Sequence, residues 1–297
     1  MARMERLHTD AEWDALFDVR TTALERAFAV EPLEARVGQL VYRTRTVRAG
    51  AVTECEVYPV YGRTQEARAR RARENLSPER VRRANHAAAL RRIVRLANAN
   101  FTDRDLHVTL TYAGAVPDYD QAQRDVRNFL RRLQRLRARR GLTRAKYIYS
   151  IEDNDAGLKK RIHTHMLLSG GISREEIEAC WRRGWANADR LQPNAEGLAA
   201  IARYITKSQK NRKKWICSQG LTQPTVTVST TKLSRRKIEK LASELPQLWK
   251  EVLRKAYPGM EPVMCETWGS DLMPGVFIRA QLIRPDAMGT WREAPLL

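Results

Sequence analysis

Between residues 106 and 168 the spacing of apolar side chains changes period and then changes back, so this stretch must supply both a sheet and a helix to cover it. Leu106, Val108, Leu110 and Tyr112 alternate with His107, Thr109 and Thr111, the two-residue repeat of a half-buried strand. Val126, Phe129, Leu130, Leu133 and Leu136 then recur at helical spacing, and the other faces of that helix are almost wholly arginine. Asp120 is placed to cap it and Gly141 to stop it. Strand patterns return at 146–152 and 161–168. The polar stretch between them, with Asp153, Asn154, Asp155 and Gly157, predicts an antiparallel hairpin.

Coarser signals extend the reading in both directions. Ser173 and Glu176 form a capping-box pattern opening a helix that carries Ile177 and Trp181. A helix is expected over about 195–207, a strand over 224–230, a long helix over 234–256 and a last strand over 276–283. Upstream lie two short strands at 37–48 and 52–61 around Gly50, an arginine-dense arm at 62–83, and a helix over 82–98. Trp13, Leu16, Phe17, Leu24 and Phe28 mark an amphipathic helix that Pro32 ends.

The expected class is therefore α+β, a central antiparallel sheet with helices packed on it plus an N-terminal helical extension. The expected organisation is an extension at 1–35, a strand pair, basic arm and helix at 36–100, a main domain at 101–285 and a tail at 286–297.

Charge narrows the partners. The chain carries 54 Lys+Arg against 34 Asp+Glu, a formal +20 over 297 residues. The excess is concentrated: residues 61–100 hold +8, 123–146 hold +9 and 203–214 hold +6, and the remainder is slightly acidic. Three such runs point to nucleic acid, where phosphates supply most of the affinity. The runs lack the wide Trp/Phe/Leu face of a membrane-surface helix, and no membrane-length apolar stretch or secretory pattern is seen, so no membrane partner is expected. Cys55, Cys180, Cys217 and Cys265 show no CxxC pairing, which predicts a reducing, cytoplasmic setting.

His163 and His165 lie two apart in the apolar run RIHTHMLL, so both imidazoles project from one face while Ile162, Thr164 and Met166 take the other. An isolated HxH is also the pattern of ordinary hydrogen-bonded histidines. Glu152, which the hairpin returns beside His163, completes a two-nitrogen, one-carboxylate set compatible with Mg²⁺ or Mn²⁺. In ARYITK, Tyr204 and Lys207 are neighbours on one helical face, ahead of the basic run Lys210, Arg212, Lys213 and Lys214. Tyr204 reads either as core packing beside Ile201 and Ile205 or as an exposed functional phenol.

HVTLTY at His107 to Tyr112, HTH at His163 to His165 with Glu152 before it, and YITK at Tyr204 to Lys207 resemble, in order and spacing, the three motifs of the HUH endonucleases. In detail the chain is similar to the rolling-circle replication initiators of small single-stranded-DNA phages, plasmids and integrated elements. NHAAALRRIVRLANANF, SQGLTQPTV and PGVFIRAQLIR add to that likeness, which spans about residues 40–285.

The resemblance implies an RRM-like palm, a divalent metal held by Glu152, His163 and His165, Tyr204 as nucleophile and Lys207 as the motif lysine. It implies a single-tyrosine enzyme, because Ala200 stands one turn before Tyr204. The implied reaction is nicking and joining of single-stranded or origin DNA through a 5′-phosphotyrosine link that frees a 3′-hydroxyl. Implied partners are a host helicase and polymerase, in the cytoplasm of a bacterial host. Arg131, Arg132, Arg135, Arg203, Lys210, Arg212, Lys213 and Lys214 are the expected DNA-holding cations. Rival readings are a single-tyrosine transposase or relaxase, a non-catalytic nucleic-acid-binding protein, and a metal-dependent hydrolase that activates water.

Overall fold

The computed structural model describes residues 41–60, 78–154, 161–205, 215–242, 245–270 and 273–288. The expected N-terminal helix and basic arm, together with Lys207, Lys210, Arg212, Lys213 and Lys214, lie outside these residues. The α+β class holds, with six α-helices among the described residues. Where one sheet was expected there are two, each of five antiparallel strands.

The described residues divide into two compact units, 41–92 with 224–288 and 93–223. In the first unit β1 (Val41–Ala49) and β2 (Val52–Val60) form the expected hairpin around Gly50, whose φ of 61° suits glycine. Their outer edges pair with strands from far along the chain, β1 with β8 (Thr225–Ser229) and β2 with β10 (Met273–Ile283). β9 (Glu261–Ser270) completes the order β8-β1-β2-β10-β9.

The core of this unit packs Cys55, Val57, Ile278 and Leu282 against Ile238 and Leu241 of α5 (Arg235–Leu241) and Leu253 of α6 (Pro246–Ala256). The single long helix expected at 234–256 is two helices. Pro246 occupies the first turn of the second, where its missing N–H costs nothing, and it cannot continue a preceding helix. Across three strands runs a buried charge row: Arg45 Nη1 lies 2.7 Å from Glu56 Oε2, and Arg279 Nη2 lies 3.9 Å from Glu56 Oε1.

The second unit has strand order β6-β3-β5-β4-β7, from β3 (Leu106–Thr111), β4 (Tyr147–Asn154), β5 (Arg161–Leu168), β6 (Ala186–Arg190) and β7 (Ile216–Cys217). The β3, β4 and β5 expectations hold, although Asp153 and Asn154 belong to β4 rather than to a turn. On one face Leu106, Val108, Leu110, Ile162 and Met166 meet Val126, Phe129, Leu130 and Leu133 of α2 (Tyr119–Arg139). Full burial of each such side chain is worth about 1.5–3 kcal/mol.

The cap of α2 is Asp118, whose carboxylate accepts the Gln121 N–H at 2.7 Å, and not Asp120, which sits in the first turn. Asp118 has the extended backbone a capping residue needs. Gly141, at φ 67°, follows the helix as expected. The Ser173–Glu176 capping box forms and opens α3 (Arg174–Ala179), which ends before Trp181.

Helices cover part of the other face as well. Ile148 and Leu167 pack against Ile93, Leu96 and Ala97 of α1 (Pro78–Asn100) and Ala202 of α4 (Ala199–Tyr204). No helix among the described residues is long and apolar enough to cross a membrane.

Candidate active site

Register decides which side chains meet on the second face of this sheet. Thr109 pairs with His165 and Thr111 with His163 across β3 and β5, while Ser150 pairs with His165 and Glu152 with His163 across β4 and β5. Residues directly opposite in an antiparallel ladder share a face. His107, Thr109, Thr111, Ser150, Glu152, His163 and His165 therefore form one polar surface, and Thr164, 1% exposed, points into the core behind it.

Both nitrogens of His165 have partners. Nε2 stands 3.3 Å from Glu152 Oε2, and Nδ1 stands 3.3 Å from Thr109 Oγ1. With the proton on Nε2, that nitrogen donates to Glu152 and Nδ1 accepts from the Thr109 hydroxyl. Burial pushes the His165 pKa below its ordinary value, against the pull of Glu152 in the other direction. The ring is thereby held neutral.

Tyr204 reaches this surface from the end of α4. Gly197, at φ 69°, closes a tight turn with Asn194 just ahead of the helix, and Asn98 Oδ1 of α1 accepts the Leu198 N–H at 2.8 Å. Ala199, Ala202 and Ile205 are buried at successive turns, and the small Ala202 lets the helix approach the sheet closely. The adjoining face then carries Tyr204 over the histidines. Its ring centroid lies 4.9 Å from that of His165 at 72°, an edge-to-face contact, while the residue remains 53% exposed. Of the two open readings of Tyr204, the exposed phenol is the one observed. The helix stops at Tyr204 instead of running to residue 207.

A third histidine belongs to the cluster. His107 stacks on His165 at 5.7 Å and 18°, and meets Tyr204 edge-on at 6.2 Å. Its Nε2 is buried without a hydrogen-bond partner. Burial, then the neighbouring His165, push its pKa down to about 4, with Asp189 opposing. The signal in the sequence is the shared parity of His107 and Thr109 on β3, which becomes informative only once β3 is known to lie beside β5.

Glu152, His163 and His165 suit a divalent ion in kind, since a neutral imidazole is the ligating form and the carboxylate supplies a hard oxygen. Glu152 and His165 meet, and His163 faces the same way one pleat along. Among the described residues no three His, Cys, Asp or Glu side chains are gathered closely enough to hold an ion together.

The expected DNA-holding cations do not gather around Tyr204. Arg131, Arg132 and Arg135 lie on α2, which packs on the opposite face of the sheet, and Arg132 Nε donates to the Cys180 carbonyl at 2.8 Å. Arg203, next to Tyr204, pairs with Glu196 at 3.1 Å with both side chains largely in solvent.

Residues 105–209 match the family model of replication-associated proteins of the ORF2 type. The matched stretch runs from the start of β3 past Tyr204, so it contains every residue of the polar cluster and makes this part of the chain similar to replication-associated proteins. No curated protein and no solved structure matches the chain.

Proposed function

We propose that the chain is a site-specific single-stranded DNA nicking and joining enzyme that initiates rolling-circle replication. The observation that carries this reading is the edge-to-face approach of an exposed tyrosine to a buried, carboxylate-bonded histidine. The similarity to replication-associated proteins over 105–209 supports the biological setting.

In this reading the Tyr204 oxygen attacks the scissile phosphorus as the bond to the 3′ oxygen breaks, giving a 5′-phosphotyrosine and a free 3′-hydroxyl. The phenolic proton lost is matched by the proton taken up at the departing oxygen. The phosphate ester persists in the tyrosyl link, so rejoining needs no nucleotide cofactor.

Glu152, His163 and His165 would hold a Mg²⁺ or Mn²⁺ ion, which when bound supplies Lewis-acid polarisation of the phosphate oxygens. Thr109 fixes the orientation of His165 from its far nitrogen, the kind of outer support that sets ligand geometry. The short helix fixes the tyrosine ring above the sheet, converting attack into a positioned, effectively unimolecular step.

The test is to incubate the protein with end-labelled single-stranded origin DNA and Mn²⁺ or Mg²⁺, then resolve products on a denaturing gel. The expected result is a labelled protein–DNA adduct that requires Tyr204 and the metal. Cleavage without an adduct, or an adduct that survives Tyr204→Phe, would remove the nucleophile assignment and favour a water-activating hydrolase.

A further inference from the structure

We infer that a groove along α2 is a second nucleic-acid site, which grips the phosphate backbone of single-stranded DNA at a distance from Tyr204. The groove is a cavity of about 540 Å³ at the β4–β7 edge of the second unit's sheet, and Arg127, Arg131, Arg135 and Arg144 line it.

The chemistry of the lining selects the ligand. No acidic side chain lines the cavity. Arg127 and Arg131 bond only the neutral side chains of Gln123 and Asn128, and among the described residues neither Arg135 nor Arg144 has a hydrogen bond or ion pair. The neutral polar groups beside them are already used. The Gln134 amide both donates to and accepts from the Ala145 backbone, at 3.3 and 3.0 Å, and the Ser218 hydroxyl accepts the Tyr147 N–H at 3.1 Å. Four exposed guanidiniums sharing a concave surface without a counter-charge repel one another, and an incoming polyanion relieves that repulsion.

Geometry selects the form of the polyanion. Arg127, Arg131 and Arg135 are spaced i, i+4 and i+8, so their stems share a face and advance about 6 Å each along the axis. That ladder follows a run of successive phosphates rather than one isolated anion. The volume falls within the roughly 300–1,000 Å³ range of small-ligand pockets, which admits a stretch of one strand and excludes a double helix.

The groove is separate from the tyrosine centre. Tyr147 in its wall begins β4, and Glu152 lies five residues on, roughly 17 Å along the strand, with its side chain on the sheet face away from α2. Binding there needs neither the metal nor Tyr204.

The experiment is fluorescence anisotropy of a labelled oligothymidylate with full-length protein in EDTA, across a series of salt concentrations. The quadruple variant Arg127→Gln, Arg131→Gln, Arg135→Gln and Arg144→Gln should lose at least 10-fold in affinity. It should also flatten the plot of log K against log salt by nearly 3, at about 0.7 per lost phosphate contact on a single strand. All four side chains are exposed, so an unchanged melting temperature is expected.

A control variant neutralising Arg235, Arg236, Lys237 and Lys240 should leave the slope near wild type. Equal flattening by the control would reduce the effect to net charge and overturn the groove, as would a quadruple variant that keeps wild-type affinity and slope. Loss of binding to phosphatidylserine vesicles with oligonucleotide binding unchanged would assign the groove to a membrane surface and overturn the proposal. Because the measurement involves no cleavage, its failure leaves the Tyr204 reading untouched, and failure of adduct formation leaves the groove untouched.

Discussion

Glu152 and His165 stand on neighbouring strands with carboxylate and imidazole 3.3 Å apart, and that contact turns the buried ring toward the tyrosine above it. The pair also sets what each change to the cluster should do.

Tyr204→Phe keeps the ring that meets His165 edge-on and removes the oxygen. The melting temperature should be unchanged, and adduct formation should fall by more than about 10³-fold, as for loss of a covalent nucleophile. Denaturing gels and thermal melts on one preparation check both.

Glu152→Gln leaves a neutral amide beside His165 and takes the only carboxylate from the proposed ligand set. Adduct yield should drop by at least about 10–100-fold, and the concentration of Mn²⁺ needed for half-maximal yield should rise. EDTA should abolish the wild-type adduct, and added Mn²⁺ or Mg²⁺ should restore it. A metal requirement identical in wild type and variant would exclude Glu152 as a ligand.

His107 titrates at about 4 in the folded protein against an ordinary 6.5, because burial disfavours its charged form. Its contribution to stability is therefore complete above pH 6.5 and is lost as pH falls toward 4, where the unfolded chain takes up a proton that the folded ring resists. His107→Phe keeps a stacking ring and removes that proton. Between pH 7 and 4.5 the metal-free wild type should lose more melting temperature than the variant; equal losses would contradict this account.

Glu56 is fully buried between Arg45 and Arg279. Glu56→Gln leaves buried guanidinium charge uncompensated and should cost about 3–5 kcal/mol in urea unfolding, with a matching drop in melting temperature. A cost below about 1 kcal/mol would mean that water reaches the row.

Local periodicity made much of this legible from the residues alone. The parity of His163 and His165 on β5, the buried stripe of α2 and the Ser173–Glu176 box are all decided within a few residues, and they stand where the pattern put them. The edge strand β6 carries ANADR, with no β-branched or aromatic residue, and is a strand because β3 offers it hydrogen-bonding partners. The stacking of His107 on His165 depends on which strands are neighbours, a fact stored in no single segment. Pro246 is different: its message was local, and the apolar spacing on either side of it suggested one helix where the missing N–H imposes two.

The first sheet is assembled from both ends of the described chain, with Thr46 opposite Thr227 and Cys55 opposite Ala280. On a ribosome adding about 5–20 residues per second, the β1–β2 hairpin waits roughly 10–30 s before β8 is synthesised. Through that interval both outer edges of the hairpin are open ladders, while every strand of the second unit emerges and finds its partners in the meantime. A message cut short before residue 225 would therefore release a chain with its histidine and tyrosine centre complete and two sticky strand edges ahead of it, a product whose hazard is aggregation rather than lost chemistry.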